Sequence, residues 1–185
     1  MSKKIITSDL QTHMIAVKKV NLLTEIKQVS SLAQEIWQEH YTSIIGADQV
    51  EYMLANFQSV TAIEKQIQDG YEYYLLIYNG ASVGYMSYGV ESNYIFLSKI
   101  YVLSSSRGRG IGKKAIEYVV ESAKKSQLDF IRLTVNKHNL QSIAAYKKIG
   151  FIVASEQVKP IGNGFVMDDY VLELHIKTFD SKQIL

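Results

Sequence analysis

Three glycines and two arginines crowd the stretch "SSSRGRGIGKK", residues 104–114. Glycine lets backbone N–H groups come close to a ligand, and arginine adds charge-assisted hydrogen bonds. A strand-like run, "YIFLSKIYV" (94–102), stands before the loop, and a helix opens after it at about Gly110. The unpaired N–H groups and the dipole at a helix start favour an anion. A diphosphate suits all of these features, whereas a plain turn would use the glycines only for their backbone angles. Two familiar phosphate loops fail on spacing. A P-loop would need glycine at Arg107 and Ser or Thr at Lys114, and the dinucleotide fingerprint would need glycine at Lys113.

A second group lies in "VNKHNLQSIAAYKKIGF" (135–151). At about 100° per residue, Asn139, Ser142 and Tyr146 fall within roughly 60° of one another and form a polar stripe on a helix. Tyr146 alone carries little weight, because the chain has 13 tyrosines and most must pack. A third group is "IWQEHYTSIIG" (36–46). Trp37 and Tyr41, with Glu39 and His40 between them, could bind a cation through ring faces and charge, or Trp37 could be core and the acids solvated.

These residues need a scaffold. Residues 13–20 read as a strand, and a helix capped by Thr24 runs to about Tyr41. Two further helices follow, "QVEYMLANF" starting at Asp48 and "TAIEKQIQ". Asn79-Gly80 joins the strands "YEYYLLIY" and "SVGYMSYGVE" as a hairpin. Strand 94–102, a helix to about Ser126, strand 130–135 and a short helix ended by Gly150 come next. "FIVASEQV" and "GFVMDDYVLELHI" are the last strands, with Pro160, Gly162 and Gly164 marking the loop between them. Strands in series imply antiparallel pairing, and the strand–helix–strand unit at 94–135 implies one parallel crossover. The expected fold is α+β: a single domain over 1–185 with one mixed, mostly antiparallel sheet of about seven strands and helices on both faces.

Composition narrows the function. The chain has no cysteine, which excludes disulfides and thiolate chemistry. The four histidines, at 13, 40, 138 and 175, show no metal-ligand spacing, so no metal is expected. No apolar run is long enough for a signal peptide or a membrane span, which points to a cytoplasmic protein without a membrane partner. "RGR" and scattered lysines without interleaved aromatics do not make a nucleic-acid surface. Charge divides along the chain. Residues 21–69 hold seven acids and two bases, and residues 99–159 hold twelve bases and four acids.

The two motifs together resemble the GNAT superfamily of acetyl-CoA-dependent N-acetyltransferases. Arg107, Gly110 and Gly112 match its Arg/Gln-x-x-Gly-x-Gly/Ala motif. Asn139, Ser142, Tyr146, Gly150 and Phe151 match its later Asn-x-x-Ala/Ser-x-x-x-Tyr-x-x-x-Gly-Phe motif. The resemblance covers about residues 94–175, which would bind acetyl-CoA, while about 1–93 would face the acceptor. It implies a splayed parallel strand pair forming the CoA cleft. The loop amides of Gly108, Arg109, Gly110, Ile111, Gly112 and Lys113, with Arg107, would hold the diphosphate, and backbone groups of Ile100, Tyr101 and Val102 would bind the pantetheine arm. Asn139 would bond the arm or anchor its helix, and Tyr146 would protonate the departing sulfur. Trp37, Glu39, His40, Tyr41 and Asp168 are candidate acceptor-side residues. The strand before the loop lacks the glutamate that some members carry there, so the base stays open among Glu91, His40, Glu39 and Asp168. The expected acceptor is a small cationic amine such as a polyamine. A protein or peptide acetyltransferase and a non-catalytic CoA-binding regulatory module are the alternatives, and a homodimer is compatible with the sequence.

Overall fold

The computed structural model describes residues 14–179. His13 and the rest of the leading segment lie outside them. The elements run β1 (Ile15–Lys19), α1 (Leu23–His40), α2 (Thr42–Ile45), α3 (Ala47–Phe57), α4 (Val60–Gln68), β2 (Glu72–Tyr78), β3 (Ala81–Val90), β4 (Tyr94–Val102), α5 (Ile111–Lys125), β5 (Phe130–Asn136), α6 (Leu140–Ile149), β6 (Ile152–Gly162) and β7 (Phe165–His175). All seven strands form one sheet in the order β1-β2-β3-β4-β5-β7-β6. Only β4 and β5 pair in parallel. This is the mixed α+β sheet the element order implies.

Two apolar layers hold the sheet. On one face, α5 buries Ile111, Ala115, Ile116, Val119, Val120 and Ala123 against β-strand residues such as Leu76, Ile95, Ile131 and Leu172. On the other, α1 buries Val29, Ala33, Ile36 and Trp37 against Tyr73, Leu75 and Tyr85, with α3 and α4 adding Val50, Met53 and Ile63. The 3–4 spacing of these side chains is what makes each segment helical and fixes the face it buries.

Local chemistry sets the element ends. Asn79 and Gly80 both take positive φ (49° and 84°), as a two-residue hairpin of the primed type requires. Thr24 does not cap α1. Glu25 does that work, its carboxylate accepting from the N–H groups of Asn21 (2.7 Å) and Leu22 (3.0 Å) and pairing with Lys18 (2.9 Å). Pro160 does not end β6 either. The strand is at the sheet edge, where a missing N–H is tolerated, and it runs on through a register shift to Gly162. The turn itself is Asn163-Gly164, both at positive φ.

Candidate functional site

The ladder between β4 and β5 is short. It pairs Tyr94 with Phe130, Ile95 with Ile131 and Phe96 with Arg132, and no further. Beyond Phe96 the two strands diverge and their facing edges are left without each other. A bulge in β4 accompanies the divergence: Ser87 pairs with Lys99 and Tyr88 with Leu97, so Ser98 is the extra residue. It also reverses the alternation of the strand. Ile95 and Leu97 face the α5 layer before it, and Ile100 and Val102 do so after it. Lys99 and Tyr101 are thereby turned toward the α1 side. The gap opens into a cleft of about 580 Å³, a size that suits a sizeable ligand.

One end of the cleft is the start of α5. Gly108, Gly110, Ile111, Gly112 and Lys113 line it. Lys114 N–H is bonded to the Gly110 carbonyl and is the first rung of the helix ladder, so the N–H groups of Ile111 and Gly112 point out of the helix start. Gly108 and Gly110 take positive φ (74° and 79°). Gly112 does not, and a Cβ added to it would meet nothing within 4 Å. Neither backbone nor packing therefore demands glycine at 112, whereas close approach of a bound group would. By this test the residues present fit a diphosphate. The arginines sit apart from the loop amides. Arg107 donates to the Val102 carbonyl (3.1 Å) and lies 3.4 Å from His40 Nδ1, joining the wall between β4 and α1. Arg109 covers the Tyr78 ring and does not line the cleft.

The middle is a cluster of hydroxyls. Tyr41, Tyr101 and Tyr146 line the cleft together, and burial raises the pKa of each above the usual tyrosine value, that of Tyr41 to about 12. All three therefore stay protonated at neutral pH. Asn139 is the N-cap of α6: its side chain accepts from Ser142 N–H (3.3 Å) and donates to Tyr41 Oη (3.4 Å). Asn139 thus ties the late motif to α1. His40 is held below its ordinary pKa by burial and by the Arg107 charge. An arginine can only donate, so the Nδ1 of His40 is the acceptor in that contact.

The other end is built by the α1–α3 layer and the β6–β7 hairpin. Trp37 is buried in the core and also lines the cleft, stacked on Tyr41 at 4.5 Å. Tyr52 of α3 donates to the Ile161 carbonyl (2.6 Å), and Gln49 donates to the Val166 carbonyl (2.8 Å). These bonds bridge the two walls. Gly162 allows the approach: a Cβ there would run into Tyr52 Oη. Lys99 is buried in the wall with its Nζ 2.6 Å from Gln66 Oε1.

Three expected residues lie elsewhere. Glu39 accepts from Ser104 at the rim (2.6 Å), Asp168 pairs with Lys137 (2.7 Å), and Glu91 sits in the turn after β3. None of them lines the cleft. Its neighbour Asp169 does, with only 2 % of its surface exposed. Strict strand alternation says that 168 and 169 face opposite ways, but not which faces inward. None of the acids of residues 21–69 lines the cleft either.

A splayed parallel pair with a glycine-rich helix start at its mouth is matched by comparison with known proteins. The profile of the acetyltransferase (GNAT) family matches residues 29–151. The chain belongs to the GNAT family. An uncharacterized N-acetyltransferase, YobR, of Bacillus subtilis is 39% identical over 67 residues, 36% of this chain and 27% of that protein. The 5-NmdU N-acetyltransferase of Pseudomonas phage PaMx11 is 37% identical over 59 residues, 32% of this chain and 40% of that one. The matches thus span well under half the length of either relative. Among solved structures, the PaiA N-acetyltransferase of Thermoplasma acidophilum, in complex with coenzyme A, shares the GNAT fold with a TM-score of 0.72. It is 18% identical, over 88% of this chain and 99% of its own. Among the described residues of this GNAT chain, no helix is long and apolar enough to cross a membrane.

Proposed function

We propose that this GNAT chain transfers an acetyl group from acetyl-CoA to the primary amine of a small acceptor by direct attack. The observation that carries the reading is the open edge of β4, with the glycine-rich start of α5 at one end and a walled pocket at the other. Acetyl-CoA supplies an activated thioester. The amides of Ile111, Gly112 and Lys113 hold its diphosphate, and the β4 edge around Ile100 to Val102 takes the pantetheine arm as an added strand. Arg107 donates to the Val102 carbonyl at the end of that strand.

Tyr146 aids the leaving sulfur as a hydrogen-bond donor. Burial and the neighbouring Tyr41 raise its pKa, while a thiol has a reference pKa of about 8.5. Full proton transfer from tyrosine to thiolate runs uphill, so the tyrosine stabilises developing charge and keeps its proton. The second nitrogen proton of the acceptor supplies the thiol.

The acceptor we favour carries a single positive charge. The polyamine reading rests on acids of residues 21–69, none of which lines the cleft, and the cleft wall contains Lys99, Arg107, Lys113 and Lys159. Aromatic rings of Trp37, Tyr41, Phe57 and Phe96 suit a compact apolar body. A peptide acceptor would call for a groove open at both ends, and the bonds of Tyr52 and Gln49 to the hairpin argue against one. The test is CoA release from acetyl-CoA with a panel of monoamines, polyamines, amino acids and peptides. Monoamines should lead. Tight CoA binding with no release for any amine would support the regulatory-module reading instead.

A further inference from the structure

Asp169 is the one carboxylate among the described residues that line the cleft. It sits on β7 opposite Asn136 of β5 and Gln157 of β6, beyond the point where β5 leaves β4. One of its oxygens, Oδ1, is buried and meets no hydrogen-bond partner. A buried carboxylate oxygen left without a donor is costly, and a protein keeps one where a ligand or a reaction uses it.

We propose that Asp169 is the general base of this enzyme, taking a proton from the acceptor's ammonium group. The inference rests on the acetyl-transfer reading. The ammonium yields one proton to Oδ1 of Asp169. The freed lone pair attacks the thioester carbon, the C–N bond forms and the C–S bond breaks. The electron pair leaves on sulfur toward Tyr146 Oη–H and is neutralised by the second nitrogen proton. Asp169 then returns its proton to water, so each turnover gives one amide, one thiol and one released proton.

The surroundings suit the role. Thr134 of β5 and Gln157 of β6 hold its pKa down, Asp168 adds like charge, and Lys137 adds opposite charge. Tyr41 at the end of α1 and Tyr101 of β4 are its neutral hydroxyl neighbours. Burial is the largest influence, and the group is pushed up to about 6. It is thus mostly ionised at pH 7 yet a stronger base than an exposed carboxylate. The sequence hid this residue because the pairing of β7 with β5, and not a motif, decides which of the two adjacent aspartates turns inward.

The experiment compares kcat/KM against pH for the wild-type chain and Asp169→Asn, using the best amine of the panel. With the base present, the ammonium form is the substrate. The rate should then rise through pH 6 and stay flat to about 9. Without it, only neutral amine reacts, about one part in 10³ at pH 7 for an amine of pKa near 10. Asp169→Asn should lose about 10²- to 10³-fold at pH 7, climb about tenfold per pH unit, and bind CoA as the wild type does by calorimetry. A variant that keeps the wild-type plateau and its limb near pH 6 would overturn the assignment while leaving acetyl transfer standing. A wild-type chain that acetylates no amine of the panel would overturn the acetyl-transfer reading itself.

Discussion

Lys99 should weaken the protein it belongs to. The residue is 7 % exposed, and no carboxylate among the described residues pairs with it. Its contacts are Gln66 Oε1 at 2.6 Å and the Tyr73 ring at 5.5 Å. Burial lowers its pKa from 10.5 to about 8. The sign follows from proton counts. Between about pH 8 and 10.5 the unfolded lysine holds a proton that the folded one has shed, so stability rises with pH across that window. Below pH 8 the folded protein carries the full penalty of a buried charge. The drop from 10.5 to about 8 corresponds to about 3 kcal/mol. Lys99→Met keeps the volume and removes the charge, and Gln66 Oε1 still accepts from Tyr73 Oη at 2.8 Å. Allowing for the lost Lys99–Gln66 bond, the variant should gain about 1–3 kcal/mol at pH 7. The gain should shrink by about 2 kcal/mol by pH 9.5, where the wild-type lysine is already neutral. Urea denaturation of both proteins at the two pH values measures it. A variant that is less stable at pH 7, or a gain that does not change with pH, would refute the reasoning.

Two further outcomes test the cleft directly. Gly112→Val puts a side chain into space that no protein atom uses, so the variant should fold, at about 1 kcal/mol or less of helix-propensity change, and lose CoA affinity strongly by calorimetry. Unchanged CoA affinity would remove the diphosphate from the start of α5. Tyr146→Phe should leave CoA affinity intact and lower turnover by about 10- to 100-fold, the worth of one hydrogen bond to a charged sulfur. Single-turnover assays check it, and full turnover would leave Tyr146 as a packing residue.

What the sequence made legible is what local chemistry controls. The loop 104–114 and the segment 135–151 reveal themselves because positive-φ glycines, a helix start and an N-cap are each set within a few residues. The seven strands are readable for the same reason, their alternation and their Asn-Gly and Gly turns being local. The acceptor end is assembled by long-range register. The bulge at Ser98 turns Lys99 toward α1, and no feature of "YIFLSKIYV" announces it. Gly162 meets Tyr52 across the chain, so its glycine reads from sequence as a loop marker only. The charge split misleads in the same way. Glu25 is spent on capping α1 and on Lys18, Glu39 on Ser104, and Asp69 on Lys65. An acid count over a segment measures none of these uses. What decides the electrostatics of the cleft is which single carboxylate the sheet turns inward, and a strand with two adjacent aspartates leaves that choice to the pairing of β7 with Asn136 and Gln157.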